Sequence, residues 1–259
     1  MTCVMAESQE RQFLKWIDER FRGIYFSMTR NLPSPHRITR LIDVQRKVAS
    51  RMDLEDSFST DNVAGVDQAF LNDLIISGAV VMGPSLDIIS YASCTAPAAF
   101  PYMSGLLSFR EGPVAIRAVK RLRPKPTLLF VDGCGINHPR MAGMATFIGV
   151  MLDLPTVGIT KSVLCGEGKI PEKSGIATPL IYEGEQVGFL LKSKDGCRPI
   201  VVAPGHRVSI ESSLELTRRY LVEGKLPEPC RLAHQYANQV KRKLKRIPIN
   251  PGSASKTSR

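Results

Sequence analysis

The sequence predicts an α/β fold, a mixed β-sheet with helices on both faces. Three observations lead there. Residues 127–131 form a short apolar, β-favouring run ended by Asp132, Gly133 and Gly135, which fits a central strand buried on both sides. Ahead of it, three β-rich runs follow in quick succession at residues 63–70, 74–82 and 86–93. After it, apolar stretches of helical period alternate with further short strands.

Totals bound the possibilities. A chain of 259 residues can bury a substantial core as one large domain or two small ones. Its 35 Lys and Arg against 24 Asp and Glu leave a formal charge of +11. That excess suits a polyanionic partner, nucleic acid or an acidic membrane surface, and equally fits a merely basic globular protein. Cys3, Cys94, Cys134, Cys165, Cys197 and Cys230 form no C-x-x-C pair and no zinc-finger spacing, as expected of reduced thiols inside a cell. Residues 1–11 lack the apolar core of a secretory signal. No run approaches the ~20 apolar residues of a membrane span, so a soluble, cytoplasmic protein is expected.

In chain order, Phe13, Trp16, Ile17 and Phe21 suggest an N-terminal helical extension, broken by Pro33 and Pro35 and assigned to residues 1–37. A helix over 38–54 follows, with Leu41, Val44, Val48 and Met52 in one stripe. In the first strand, period two puts Asp67 on one face beside Gly65 and Ala69, small neighbours that leave room next to the carboxylate. Residues 100–111 read as a loop or short irregular segment leading into a helix that starts at Pro113. After the central strand, 140–154 is a helix apolar nearly all round, and 156–160 a strand ending at Lys161. A hairpin over 179–192 turns at Glu183 and Gly184, and a strand over 199–203 leads into Pro204, Gly205 and His206. Ser209 then caps a helix with Ile210, Leu214, Thr217 and Leu221 inward. The main domain is placed at 38–226, and 227–259 is read as a basic tail with the dense run 241–246. This element order is that of the RNase H-like folds.

Three acids occupy special positions: Asp67 in the first strand, Glu111 before a helix and Asp132 at the end of the central strand. Singly, each could be a cap or a turn residue. Together, in a basic protein, they suit metal-assisted phosphodiester cleavage, because Mg²⁺ takes hard oxygen ligands. His138 and His206 both follow turns after apolar strands and are expected on the same rim as the acids, although a lone histidine is commonly structural. Lys161, a surface lysine by default, could neutralise phosphate charge from that rim. The G-x-G at Gly133 and Gly135 is a weak nucleotide-binding signal, for it lacks the longer helix-opening pattern.

Asp67 within 65–67, the 101–111 segment, 131–140, 154–161 and 204–207 resemble the successive motifs of the endonuclease V family, in that family's order over about residues 40–225. The resemblance implies an RNase H-like, Mg²⁺-dependent enzyme, with Mn²⁺ as a substitute. Its partner would be inosine-containing DNA or RNA, in nucleic-acid repair or inosine-RNA turnover. It would hydrolyse the second phosphodiester 3′ to the lesion, leaving 3′-hydroxyl and 5′-phosphate. By position, Asp67 and Asp132 resemble metal ligands, Glu111 the third acid, and Lys161 and His206 the active-site lysine and histidine. Tyr102 resembles the wedge that fills the gap left by an extruded base. The base edge would be read around Gly105, Leu107, Gly135 and Gly143, with His138 near the substrate. No membrane partner is implied and a monomer is expected. A binding module that recognises inosine or branched nucleic acid without cutting is the competing possibility, and retention of the acids and Lys161 argues against it.

Overall fold

The computed structural model describes residues 34–98 and 101–246. The expected helix over 10–31 and the last residues, 251–259, lie outside these. Among the described residues the chain forms α1 (Pro35–Ala49), β1 (Val63–Leu71), β2 (Leu74–Met82), β3 (Ile88–Pro97), α2 (Leu107–Arg110), α3 (Gly112–Lys120) and β4 (Leu128–Asp132). Then come α4 (Met144–Leu152), β5 (Thr156–Thr160), β6 (Ala177–Tyr182), β7 (Glu185–Leu191), β8 (Ile200–His206), α5 (Ile210–Arg219) and α6 (Glu228–Arg246).

The eight strands make one sheet in the order β3-β2-β1-β4-β5-β8-β7-β6. β1, β4 and β5 are parallel at its centre, and the remaining neighbours pair antiparallel. Strand alternation divides the core. Ala64, Val66, Leu129 and Val131 face α1, α3 and α4, while Val63, Leu128 and Phe130 face α5 and the start of α6. Ser209 caps α5 as expected, accepting the Ser212 N–H, and at the start of α1 Ser34 likewise accepts the Arg37 N–H. The β6–β7 hairpin turns through Glu183 and Gly184, at φ of 53° and 87°, the paired left-handed geometry that matches strand twist.

The helix expected over 38–54 instead runs Pro35–Ala49, with Pro35 opening it rather than breaking the chain, and a second element departs further. Residues 228–246, assigned to a basic tail, form α6, a helix that lies across β1 and β2. Cys230, Ala233 and Ala237 are its buried stripe, and the basic run 241–246 is its last turns. The room beside Asp67 belongs to this helix. A Cβ at Gly65 would overlap the Pro229 carbonyl, and one at Gly78 would stand 2.6 Å from the Ala237 nitrogen. Glycine at these two places lets a helix backbone lie directly on the sheet.

Candidate active site

Asp67 and Asp132 are neighbours because β1 and β4 run parallel with Val66 opposite Val131, and each acid is the next residue along its strand. Alternation sends both to the face covered by α6. Asp132 is aligned with Ile159 of β5, two residues before Lys161, so Lys161 emerges beside it with Nζ 3.3 Å from Asp132 Oδ2. Glu111 arrives from the turn between α2 and α3, with Arg110 Nη1 3.1 Å from its Oε1. From α6, His234 sets Nδ1 2.6 Å from Asp67 Oδ2, while the Gln68 N–H donates to Oδ1 at 2.6 Å.

Asp67 is 6% exposed and Glu111 8%. Burial, then the charge of Asp132, pushes the Asp67 carboxyl up to about 6, opposed by its bonds to His234 and Gln68. Burial lifts Glu111 to about 7 in spite of Arg110, and the two aspartates add to the rise. For Lys161 burial disfavours the charge, but Asp132 and Asp67 outweigh it and raise its pKa. Among the described residues no three Asp, Glu, His or Cys side chains are already drawn together as metal ligands. Each carboxylate instead leans on a different basic neighbour: His234, Lys161 or Arg110. The donor chemistry nonetheless fits a hard divalent cation. Three crowded, partly desolvated carboxyls strain against their shared negative charge, which such an ion would relieve.

Beside the acids a pocket is lined by Gly105, Leu107, Glu111, Asp132, His138 and Gly143. Ser108 also lines it, and its buried hydroxyl has no hydrogen-bond partner among the described residues. The wall is stiff. Gly105, at φ 75°, offers its carbonyl to Gln45 Nε2 (2.8 Å), Arg140 Nη2 (2.8 Å) and His138 Nε2 (3.1 Å). His138 Nδ1 accepts the Arg140 N–H at 3.2 Å, and burial, with the Arg140 charge, lowers the ring to about 4, so it is neutral at pH 7. Tyr102 precedes this wall and is 66% exposed.

Two expected members sit elsewhere. Gly135 is behind the pocket: its N–H donates to Asn137 Oδ1 at 2.8 Å, and a Cβ there would overlap the Pro204 carbonyl. Its glycine serves close packing against β8. His206 lies at the opposite end of the sheet. β8 runs antiparallel to β5, so His206 pairs with Thr156, the first residue of β5, whereas Lys161 follows its last. There Nδ1 accepts the Asp53 N–H at 3.1 Å and Nε2 faces Asp153 Oδ1 at 3.5 Å, and burial lowers its pKa. The histidine that reaches the acids is His234. Its sequence signal was the stripe Cys230, Ala233, Ala237, Val240 and Leu244, at helical spacing, which marks 228–246 as a packed helix.

Paired aspartates on adjoining parallel strands, a third acid, a lysine and a histidine, set in a mixed sheet of RNase H-like fold, define a nuclease. The comparisons narrow this. A family model for endonuclease V matches residues 45–235. Endonuclease V of Archaeoglobus fulgidus is 42% identical over 205 residues, which cover 78% of this chain and 92% of that one. The crystal structure of Streptomyces avermitilis endonuclease V superposes with a TM-score of 0.76 at 29% identity, covering 84% of this chain and 98% of that chain. That of Ciona intestinalis endonuclease V, bound to a 23-mer DNA containing an inosine followed by a ribo-adenosine, shares the fold at TM-score 0.72 and 22% identity, over 82% and 100% of the two chains. The chain belongs to the endonuclease V family. Among the described residues no helix is long and apolar enough to cross a membrane.

Proposed function

We propose that this protein is a Mg²⁺-dependent endonuclease that cuts the second phosphodiester 3′ to deoxyinosine in DNA or inosine in RNA, leaving 3′-hydroxyl and 5′-phosphate. One observation carries this: Asp67 and Asp132 stand level on parallel strands, with Glu111, Lys161 and His234 around them and a pocket alongside. Asp67, Asp132 and Glu111 would hold the ion, which supplies positive charge to a phosphoryl oxygen and eases deprotonation of the attacking water.

The chain's own groups do the remainder. Lys161 brings a charge, favoured by Asp132, to the phosphate. His234 fixes the orientation of Asp67, and Asn238 Nδ2, 3.2 Å from its Nε2, in turn steadies the ring. Extrusion of a base costs a few kcal/mol, least for a poorly paired one, and exposed Tyr102 fills the vacated stack. The pocket then takes the base, and a shift that exposes the Ser108 hydroxyl, buried and without a partner among the described residues, gives its edge a polar contact. A hydrogen-bonding site of this kind rejects bases that leave such a group unpaired. Inosine as the target follows the DNA held by the Ciona relative.

The test is cleavage of matched strands carrying deoxyinosine, inosine or neither, with Mg²⁺ present. Cuts at the second 3′ phosphodiester of inosine strands alone are expected. Tight binding of inosine strands without any cut would overturn the enzyme assignment in favour of a recognition module.

A further inference from the structure

A groove of about 650 Å³ opens on α6 beyond the site, and His234 is one of its lining residues. Its far end carries Lys241, Arg242 and Lys245, and among the described residues no acidic side chain lines it. Tyr91 of β3 and Tyr236 of α6 flank it as a tilted pair, ring centroids 4.7 Å apart and planes at 33°. Tyr91 remains 45% exposed, although nothing about an edge strand requires a large ring to face solvent. Along α6, His234, Asn238, Lys241, Arg242 and Lys245 follow a spacing of four, three, one and three residues, which keeps them on one flank. At 1.5 Å per residue that flank is about 16 Å long.

We propose that this groove is a second nucleic-acid subsite, which holds unpaired strand continuing from the cleavage position, with bases on the Tyr91–Tyr236 pair and phosphates on Lys241, Arg242 and Lys245. Tyr236, two residues from both His234 and Asn238, lies on the other flank of α6, so a strand here would cross the helix with phosphates on one side and bases on the other. Aromatic faces beside cations are the chemistry of sequence-tolerant single-strand binding. Continuity comes from His234, which touches Asp67 at one end of the groove. The proposal rests on the nuclease assignment only for the location of the cut. It extends the contact surface to a region that base recognition does not use.

Fluorescence anisotropy in EDTA tests it, with labelled 24-nucleotide and 8-nucleotide single strands, each with and without inosine. For the Y91A/Y236A variant, Kd for the 24-mer should rise about tenfold, the size of one lost stacking contact, by the same factor whether or not inosine is present. The Y91F/Y236F variant keeps both rings and should bind as the wild type does. K241Q/K245Q should reduce the slope of log Kd against log salt by about 1.4, or ~0.7 per phosphate. An unchanged 24-mer affinity in Y91A/Y236A, an equal loss in Y91F/Y236F, or tighter binding of a blunt duplex of equal length would overturn the subsite. These strands can lack inosine and no cutting is read. A wild type that fails to cut or to prefer inosine therefore refutes the nuclease assignment while leaving this comparison intact.

Discussion

Gly78→Ala tests whether α6 is a working part of the active site. Gly78 pairs with Asp67 across β1 and β2 and lies under Ala237, one turn beyond His234. A Cβ there would stand 2.6 Å from the Ala237 nitrogen and 2.9 Å from its Cα, where ordinary contact begins near 3.4 Å. Backbone atoms cannot rotate aside, so the helix must retreat by roughly 0.8 Å. The same shift would stretch the 2.6 Å link from His234 to Asp67 toward 3.4 Å, the edge of hydrogen bonding. Overpacking of this kind costs about 1–3 kcal/mol. At 2–4 °C per kcal/mol for a domain of this size, melting should fall by roughly 2–12 °C, leaving the protein folded at 25 °C. Misplacement by such a distance can reduce a rate by up to ~100-fold. Gly65→Ala, which meets the Pro229 carbonyl more closely, should do more. Gly224→Ala, whose nearest neighbour is the flexible Arg231 Cδ at 3.3 Å, is the control. Calorimetric melting and single-turnover cleavage read the outcome. A Gly78→Ala protein that melts and cuts like the wild type would refute the coupling of helix to site.

Further consequences separate the roles of individual side chains. His234→Ala should slow cleavage by about 100-fold or more with a melting shift of only a few degrees, whereas His206→Ala, buried against Asp53 and Asp153, should do the reverse. Equal effects on rate would restore His206 to the site. Tyr102→Ala, at a 66% exposed position, should leave stability within ~0.5 kcal/mol while reducing the preference for inosine over unmodified strands in competition cleavage. For His138, burial holds the folded pKa at about 4 against ~6.5 unfolded. Above pH 6.5 both states are neutral; from there down to about 4 the unfolded chain gains a proton that the folded one refuses. Stability should therefore fall through that window by up to ~3 kcal/mol. Denaturant unfolding of His138→Asn against wild type should show a flatter acid limb in the variant, and parallel limbs would contradict a neutral ring.

Much of this was legible in the sequence because it rests on local pattern. The apolar run ending in Asp132, the alternation around Asp67 and the caps at Ser209 and Pro113 fix elements whose type a short window determines. The level placement of Asp67 and Asp132 then follows from β1 and β4 lying side by side and parallel. Direction was the missing information for His206. An apolar strand ending in a histidine looks alike whether it runs with β5 or against it, and the antiparallel pairing carries His206 to the far rim. His234 escaped for another reason. Its helix has a mean composition so basic that the run 241–246 masks the narrow stripe of Cys230, Ala233 and Ala237. Small residues carry that stripe because the glycines beneath them bring the backbones close, so the usual large apolar signature is absent. Gly135 shows a third limit: glycine marks close approach, but the sequence does not say whether a base or the Pro204 carbonyl is the thing approached.

Asp132→Asn puts the carboxylate cluster itself to the test. The substitution keeps shape and removes one charge at the point where Asp67, Glu111 and Lys161 converge electrostatically. With Mg²⁺ present, the variant should bind an inosine-containing strand about as well as wild type yet cut it at least ~100-fold more slowly. Cutting at the wild-type rate would show that these side chains do not assemble the catalytic metal site.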